Sequence, residues 1–480
     1  MALVVTGLVT ACGGSTGNGP GGIGDSGASL VSADAVVYAS VDGDLGSSRW
    51  QQVDTLLKKF PIRDKLLAEI KQGLADHQLD YDSDVKPALG PEVDVAAVSG
   101  TSAQDTPYAF FTKPESIEKA KALVGKLDEG SSPSVTRVVD GWLFVAATET
   151  MIDRVLKGSG SSLADEGRFK EAFGQLPDDS LVKLYANGPQ LSKLVSSLSN
   201  VAQTAAAGGT ANNLDWVAVA AFADDDGLQV EGDAKSTTGD SLVGPAYSSK
   251  LISGVPADAF AFVSFHGNNI QDQVARLKQD PTFDSILSTL EKALGVSVDQ
   301  FYALFGHEDA FYIRPGPGLP EFSLVLEAPD TEQALATLDQ IGVRLAKAEH
   351  VKLGTEQQSG LEVKTLNFGA VTVRWAGFDG RVLLTTSPTG ISDYRSSSDK
   401  LADSSTYRDA LDGAGAPDKT NGLIYLDVAD VAALVENYAG LTGGKLPPDL
   451  EQNLKPLRSF VAYGSSDGDL TTFAAKLAIK

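Results

Sequence analysis

Cysteine is almost missing from this sequence. The 480 residues include a single cysteine, Cys12, and two methionines. One cysteine cannot form an intrachain disulfide, so the fold depends on buried apolar side chains, and a chain of this length can bury enough of them. The lone thiol stands directly before a stretch rich in glycine and serine. The position of Cys12 therefore needs an explanation other than disulfide bonding.

Positive charge is scarce as well. The chain has 39 lysines and arginines against 63 aspartates and glutamates, which gives a formal net charge of −24. Binding to nucleic acid needs a basic face, so this balance argues strongly against nucleic acid as a partner. It also argues against a protein that lies flat on an anionic lipid surface.

Long apolar runs are absent too. Residues 2–11 are apolar or small, but a helix needs roughly 20 such residues to cross a bilayer. A run of this length is typical of the apolar part of a secretion signal. The most apolar later run, residues 216–223, predicts a buried strand instead of a membrane span.

The residues around Cys12 explain its position. Val9, Thr10 and Ala11 are small, as a signal peptidase requires, and the sequence VTAC resembles the lipobox of bacterial lipoproteins. The resemblance implies that residues 1–11 are a signal peptide and that the Cys12 thiol carries diacylglycerol. Two or more acyl chains hold a protein firmly to a membrane. Residues 12–30 are then expected to be a flexible tether, because Gly/Ser-rich chain behaves as a random coil.

One feature of the N-terminus disagrees with a signal peptide. A signal normally begins with a lysine or an arginine, and none precedes Cys12. Either the true start lies upstream of Met1, or the segment is no signal and Cys12 is a chance cysteine in a disordered terminus. The sequence leaves both alternatives open.

The remainder of the chain repeats its own pattern of predicted elements. VSADAVVYASVDGD begins at Val31 and VPADAFAFVSFHGN begins at Val255, and both predict a turn followed by an apolar strand. An amphipathic helical pair interrupted by one proline, Pro61 or Pro281, follows each of them. The sequence therefore predicts a tandem duplication, with lobes at residues 31–236 and 254–480 joined by a linker at 237–253.

Hairpin signals set the fold class. Asp140-Gly141 in the first lobe corresponds to Asp379-Gly380 in the second, and both pairs lie between apolar runs. Asp-Gly in this context is the strongest short hairpin signal, and hairpins pair their strands antiparallel. We expect an α+β fold in which each lobe is an antiparallel sheet with helices packed on one face.

The opening ADAVVYASVDGD, the later LADEGRFKEAF before an apolar strand, and the doubled plan resemble a known bacterial family. This family is catalogued as domain of unknown function 3352, and the similarity extends over residues 31–480. Its members are commonly predicted lipoproteins or singly anchored envelope proteins. The resemblance implies an extracytoplasmic location at the cell membrane, and it supplies no activity or catalytic residues.

Motifs for chemistry are weak. Two G-x-G-x-x-G patterns lie within the expected tether, without the flanking strand and helix that a dinucleotide site needs. None of the four histidines lies three or four residues from another, so no local pair can bind a metal. His307-Glu308-Asp309 is the best cluster, but its counterpart at Glu92 lacks a histidine, and the shared residues Glu92 and Glu308 favour a turn at a strand edge. No metal, cofactor or catalytic residue is expected.

Three functions remain. The first is a lipid-anchored, non-catalytic protein of the cell envelope that binds or scaffolds an envelope partner, with Cys12 as its one assigned site. The second is a carrier of lipid or another apolar molecule at the membrane surface. A large dry pocket in either lobe would favour the carrier, and a core filled by side chains would count against it. The third and least favoured is an envelope hydrolase, which would need a pocket holding carboxylates or a histidine with strongly shifted pKa.

Overall fold

The structure is a computed structural model that describes residues 23–100, 105–129, 132–196, 213–267, 281–441 and 446–480. The signal peptide expected at residues 1–11 and the lipidation site expected at Cys12 lie outside the described residues.

The described residues include eighteen strands. Apolar residues recur at every second position along most of them, as expected for strands whose two faces have different surroundings. The strands are β1 Ala35–Asp42, β2 Glu92–Val98, β3 Tyr108–Thr112, β4 Val135–Val139, β5 Trp142–Ala146, β6 Val182–Asn187, β7 Leu214–Asp224, β8 Gly227–Ser236, β9 Ala261–His266, β10 Glu308–Arg314, β11 Glu321–Glu327, β12 Leu353–Gln358, β13 Leu361–Asn367, β14 Thr372–Phe378, β15 Arg381–Thr385, β16 Gly422–Asp427, β17 Leu457–Asp467 and β18 Leu470–Ile479.

Several helices start at a residue whose side chain accepts a backbone N–H of the first turn. Ser47 accepts from Trp50, and Asp330 accepts from Gln333, which satisfies donors that have no partner within the helix. The helices are α1 Asp25–Ala28, α2 Ser48–Leu57, α3 Ile62–Asp76, α4 Ile117–Leu127, α5 Glu149–Val155, α6 Gly167–Gln175, α7 Gly188–Ser196, α8 Pro281–Leu294, α9 Val298–Ala303, α10 Thr331–Ala348, α11 Gly390–Ser396, α12 Ser405–Gly413, α13 Val428–Leu441 and α14 Pro448–Leu454.

The chain forms two compact units. The first unit comprises residues 1–242, 448–456 and 467–480, and the second comprises 243–447 and 457–466. The lobes expected at 31–236 and 254–480 differ from these units at the C-terminus. Strand β18 belongs to the first unit because it pairs with β8 over nine residues, from Leu470 to Ala478.

Within each unit the strands pair antiparallel, and we call them the sheet of that unit. The strand order in the first unit is β4-β5-β3-β2-β1-β6-β7-β8-β18. The order in the second unit is β12-β13-β14-β15-β11-β10-β9-β16-β17. Together with the helices, these sheets confirm the α+β class.

Two hairpins turn where the sequence predicts them. Asp140 and Gly141 have φ angles of 50° and 83°, and Asp379 and Gly380 have φ angles of 49° and 73°. Positive φ at both central residues is the conformation that the right-handed twist of a two-residue hairpin favours. Strand β4 pairs with β5 across the first of these turns, and β14 pairs with β15 across the second.

Helices cover both faces of the first sheet, contrary to the expectation of one face. Phe144 packs in a core with Ile152 of α5, whereas the adjacent Leu143 packs with Ala120 of α4. Neighbouring residues of a strand point to opposite faces. The continuous apolar run of β5, which is buried along its whole length, is the sequence signal for this two-sided cover.

Aromatic side chains fill the core of each unit. Tyr38, Tyr185 and Trp216 are fully buried in the first unit, and the ring of Tyr38 meets that of Phe169 on α6 edge-on at 5.6 Å. Full burial of a large apolar side chain stabilises a fold by roughly 1.5–3 kcal/mol. The second unit has a matching core, with the buried aromatic residues Phe262, Tyr312, Tyr394, Tyr407 and Tyr425.

Candidate functional site

The chain is folded from Ile23 onward, although residues up to Leu30 were expected to be flexible tether. We call residues 23–30 the strap. Ile23, Ala28 and Leu30 are buried, and Ala28 and Leu30 belong to the aromatic core of the first unit. The composition of the strap does not indicate that it folds, because it is rich in glycine and serine. The signal for folding is that its apolar residues at positions 23, 28 and 30 directly precede the buried Val31.

Glu92, the first residue of β2, holds the strap with both carboxylate oxygens. Oε2 accepts the backbone N–H of Gly24 at 2.8 Å, and Oε1 accepts that of Gly27 at 3.1 Å. The hydroxyl of Ser26 also donates to Oε1. Hydrogen bonds to an ionised acceptor are roughly twice as strong as neutral ones, and Glu92 is 5% exposed. We call this group of residues the Glu92 clamp.

Two close contacts explain the glycines of the strap. Gly24 has a φ of +99°, and a Cβ there would meet the ring of Phe173 at 2.6 Å. The Tyr38 hydroxyl donates to the Gly24 carbonyl at 2.9 Å. A Cβ on Gly27 would lie 1.7 Å from Oδ2 of Asp94. Only glycine fits at these two positions.

Asp94 lies beneath the strap, two residues along β2 from Glu92 and on the same face of the sheet. It is 1% exposed. Burial raises the pKa of Asp94 well above its ordinary value, the charge of Glu92 adds to this, and the hydroxyls of Ser40 and Tyr38 lower it by less. Asp94 is therefore protonated at pH values at which exposed aspartates are ionised.

A similar clamp occurs in the second unit. Glu308, the first residue of β10, accepts the Ser249 hydroxyl on Oε1 at 2.5 Å and the Lys250 N–H on Oε2 at 2.8 Å. The N–H of Leu251 donates to Oε1 at 3.2 Å. These residues lead into the short 3₁₀ turn Leu251–Gly254. We call this group the Glu308 clamp. The sequence identified Glu92 and Glu308 as shared residues, but it did not reveal which segments they bind.

The two clamps differ at one position. Asp94 pairs in register with Ser40 of β1, whereas Ala310 pairs with Ser264 of β9. Ala310 therefore occupies the place in the Glu308 clamp that Asp94 occupies in the Glu92 clamp. The first clamp contains two carboxyl groups and the second contains one.

A second buried carboxyl group, that of Asp309, points to the opposite face of β10 from Glu308. It is fully buried. Burial raises its pKa to about 8, and the charges of Glu308 and Glu327 contribute to the increase. Neither of its oxygens has a hydrogen-bond partner among the described residues.

His307 and the turn that contains Asp224 and Asp226 make contacts of their own. His307 is exposed, and its carbonyl accepts the N–H of Gly267 at 3.0 Å. Lys476 of β18 bonds to Asp224 at 2.8 Å and to Asp226 at 2.6 Å, so a lysine occupies the aspartate-rich turn. Within the described ranges, no group of three or more histidine, cysteine, aspartate or glutamate residues could hold a metal ion.

The face of the first sheet opposite Asp94 is apolar and half-buried. Val95 of β2 pairs with Ala39 and with Phe110, and Leu184 of β6 pairs with Ala39 and with Val219. All five side chains are partly exposed and uncharged. Helices α2 and α4 pack at the margins of this face. We call these five residues the apolar row.

An open groove of about 990 Å³ lies in the second unit, along α8 and α10. Its lining includes Lys292, Arg344 and Lys347 beside Val343, which is 57% exposed. This groove is charged and open, so it is not the dry pocket that an enclosing carrier needs. Both aromatic cores are filled by side chains, which counts against an enclosed cavity there.

Sequence comparison identifies the family. The model of the family described as protein of unknown function (DUF3352) matches residues 126–479, which is more than half of the chain. The chain belongs to the DUF3352 family. The match confirms the resemblance expected from the sequence. It includes the Glu308 clamp, whereas the strap and Glu92 of this DUF3352 protein precede the matched residues.

Other comparisons with this DUF3352 protein add little. A search of curated proteins finds no significant match. Crystal form IV of TP0453 aligns with 48% of this chain and 93% of its own length, at 9% identity and a TM-score of 0.24. Crystal form III of TP0453 aligns with 48% and 95%, at 10% identity and a TM-score of 0.23. No helix among the described residues is long and apolar enough to cross a membrane.

Proposed function

We propose that this protein is a lipid-anchored envelope protein on the extracytoplasmic face of the cell membrane, where it acts by binding or scaffolding without catalysis. The observation that carries the proposal is the strap. Cys12 is followed by residues 13–22 and then directly by the clamped segment that begins at Ile23. Eleven residue steps span at most roughly 40 Å when fully extended, so acyl chains on Cys12 would hold the first unit close to the membrane.

The Glu92 clamp suits the load that such an anchor transmits. A pull on Cys12 reaches the folded unit first at the strap, where two backbone N–H groups and one hydroxyl are bound to a buried carboxylate. Breaking this attachment leaves a buried charge without partners, which costs more than losing an exposed hydrogen bond. A clamp at the point of entry therefore protects the core of the unit from the tether.

A tandem duplication accounts for the two units. The middle strand β1 lies between β2 and β6, and the middle strand β9 lies between β10 and β16. In each unit the clamp glutamate lies on a strand that pairs with the middle strand: β2 in the first unit and β10 in the second. Duplication of one ancestral unit explains both similarities, and two related units offer two related binding surfaces to envelope partners.

The test of the anchor compares Cys12→Ser with Ser15→Ala, a matched control three residues along the same segment. Both full-length proteins are expressed in a bacterium that acylates lipoproteins, and membranes are separated from soluble fractions. We expect the native protein and Ser15→Ala in the membrane fraction and Cys12→Ser in the soluble extracytoplasmic fraction. Retention of Cys12→Ser in the membrane fraction would contradict the proposal.

The apolar row supports a second candidate function, the carriage of a lipid or another apolar molecule at the membrane surface. Five uncharged, partly exposed side chains continue across five adjacent strands, β3, β2, β1, β6 and β7. Contiguous apolar surface of this kind marks binding sites in soluble proteins. Since no side chain of the row can form a hydrogen bond or an ion pair, its ligand would be bound through alkyl chains.

Lipid bound to the purified protein tests the second candidate. Val95→Thr and Val219→Thr add a hydroxyl to the apolar row with little change in volume, and Val243→Thr, at a position 53% exposed, is the matched control. We expect native mass spectrometry to detect a lipid on the native protein and on the control, and less of it on the two row variants. Equal occupancy of all four proteins, or no bound lipid on any, would rule out this function for the row.

A further inference from the structure

We propose that the strap is detachable and that its docking requires a protonated Asp94, so that loss of this proton releases the strap from the first unit. The inference deepens the proposed function, because the chain between Cys12 and the folded unit would be longer after release of the strap than before it. The evidence is the arrangement of groups beneath the strap.

Asp94 is buried, and the described groups around it do not adequately stabilise a negative charge on its carboxyl group. Its carboxyl group lies against the backbone of Gly27 in the strap, and neither oxygen has a hydrogen-bond partner of normal geometry among the described residues. The carboxylate of Glu92, on the same strand and the same face, acts on Asp94 through its charge. An ionised Asp94 would be repelled by Glu92 and would have lost its hydration.

The strands on either side of Asp94 contribute two hydroxyls, an aromatic ring and one ammonium group. Strand β1 contributes the hydroxyls of Tyr38 and Ser40, and β3 contributes the ring of Phe111, which pairs with Asp94 in register. The ammonium group of Lys183, on β6 beyond Ser40, lies over the ring of Phe173 at 5.8 Å. The hydroxyls favour the ionised form of Asp94, but burial and the charge of Glu92 oppose that form by more, so the neutral form prevails.

Docking of the strap consequently takes up one proton over a defined pH range. Burial and the charge of Glu92 raise the pKa of Asp94 when the strap is docked, whereas a strap that has left exposes Asp94 to water and returns its pKa towards the ordinary value of about 3.9. The docking constant has its maximum at pH values below this ordinary pKa. Above it, the docking constant falls by up to about tenfold for each pH unit until the raised pKa is reached.

The Glu308 clamp is an internal comparison. It binds its segment with the same kind of carboxylate and the same number of donors, but Ala310 stands where Asp94 stands in the first unit. The Glu308 clamp has no second carboxyl group at this position. We therefore expect its segment to stay bound over the pH range in which the strap is released.

Release changes the reach of the molecule from its anchor. The strap comprises residues 23–30, and eight residues add up to roughly 26–29 Å of extended chain. A lipid-anchored molecule would therefore stay close to the membrane under acidic conditions and extend further from it as pH rises. This consequence rests on the proposed anchor, whereas the release itself does not.

Hydrogen–deuterium exchange of the full-length chain tests the release. The amides to follow are those of Gly27, Leu30 and Val31, which are bonded in the docked strap, and those of Lys250 and Leu251 in the Glu308 clamp. Protection is compared with the exchange rate of free peptide at each pH, from about pH 5 to about pH 9, for the native protein and for Asp94→Asn.

We expect strap protection in the native protein to fall by tenfold or more over this range and to remain constant in Asp94→Asn. The Lys250 and Leu251 amides should show the same pH profile in both proteins. Asp94→Ala, which installs the residue of the second unit, repeats the test if Asp94→Asn does not fold. Constant strap protection in the native protein, or an equal loss in the variants, would overturn the inference. The hydrogen-exchange readout does not depend on acylation. The release of the strap can therefore be refuted while the lipid anchor is confirmed, and the anchor can be refuted while the release is confirmed.

Discussion

Asp94 and Gly27 are in such close contact that a single added methyl group would collide with the carboxyl group. The Cβ of an alanine at position 27 would lie 1.7 Å from Oδ2 of Asp94, in a site where Asp94 is 1% exposed. This contact joins the N-terminal strap to the sheet of the first unit. The first prediction follows directly from it.

We predict that Gly27→Ala displaces the strap and lowers the free energy of unfolding of the first unit by about 1–3 kcal/mol, the usual cost of overpacking. Gly73→Ala is the matched control, because Gly73 lies in the last turn of α3 and the added Cβ would have no atom within 4 Å apart from its own helix backbone and chain neighbours. It should stabilise the protein by up to about 1 kcal/mol. Urea denaturation measures both effects, and an unchanged midpoint for Gly27→Ala would contradict the tight contact.

Replacing the clamp glutamates should destabilise each unit separately. Glu92→Gln removes a charge that accepts three hydrogen bonds, and Glu308→Gln removes one that accepts four, so we expect losses of about 1.5–3 kcal/mol. Glu115→Gln, at an exposed position in the first unit, should change stability by less than about 0.5 kcal/mol. Hydrogen exchange assigns each loss to its unit. Equal destabilisation of both units by Glu92→Gln would show that this clamp does not stabilise its own unit separately.

Asp309 should make the second unit less stable as pH rises. Its pKa in the folded chain is about 8, against 3.8 for an exposed aspartate, so folding takes up a proton between these pH values. The stabilisation is complete below about pH 3.8 and is lost progressively up to about pH 8, by at most roughly 1.4 kcal/mol per pH unit. Asp309→Asn should remove this slope. Urea titrations at pH 5, 6, 7 and 8 measure it, and equal slopes in both proteins would refute the assignment.

Lys476 should hold the C-terminal strand in the first unit. Its ammonium group bonds to Asp224 and Asp226 in the turn between β7 and β8. Burial opposes ionisation of Asp224, but the bond from Lys476 and other hydrogen bonds bring its pKa to about 2. Stability from this group is therefore present above about pH 3.8 and is lost as pH falls through about 2.

We expect Lys476→Met to cost roughly 1–2 kcal/mol, because the aspartates are partly exposed and water screens the pair. Thermal unfolding at neutral pH measures the loss. Lys235 lies on the neighbouring strand β8 and forms a more exposed ion pair with Glu171 of α6. Lys235→Met removes this pair and should cost less than about 1 kcal/mol. A larger effect of Lys235→Met would show that Lys476 does not hold β18.

Local patterns predict much of this fold. The Asp140-Gly141 and Asp379-Gly380 turns are encoded by residues that tolerate positive φ, and the α+β class follows from such hairpins. Long-range pairing is different. The β8–β18 contact joins residues more than 230 positions apart, and apolar alternation in β18 is equally compatible with a place in either unit. Hydropathy specifies the buried face of a strand but not its neighbours.

The candidate site was predictable only in part. Glu92 and Glu308 stand out in the sequence as shared residues of the two expected repeats, and both carboxylates bind a neighbouring segment. Their partners could not be found, because Gly24 lies 68 residues from Glu92 and glycine-rich composition suggests flexible chain. The local sequence around Asp94 does not predict its burial either. Asp94 is buried by the strap, and the composition of the strap suggests flexible chain.

The mass of the protein's mature N-terminus is the most direct test of the account. Full-length protein is extracted gently from the membranes of its own cells and analysed by intact and peptide mass spectrometry. The account predicts a chain that begins at Cys12 and carries acyl chains on that residue. A chain that continues upstream of Cys12 with an unmodified thiol would contradict the lipid anchor and remove the membrane role of the strap.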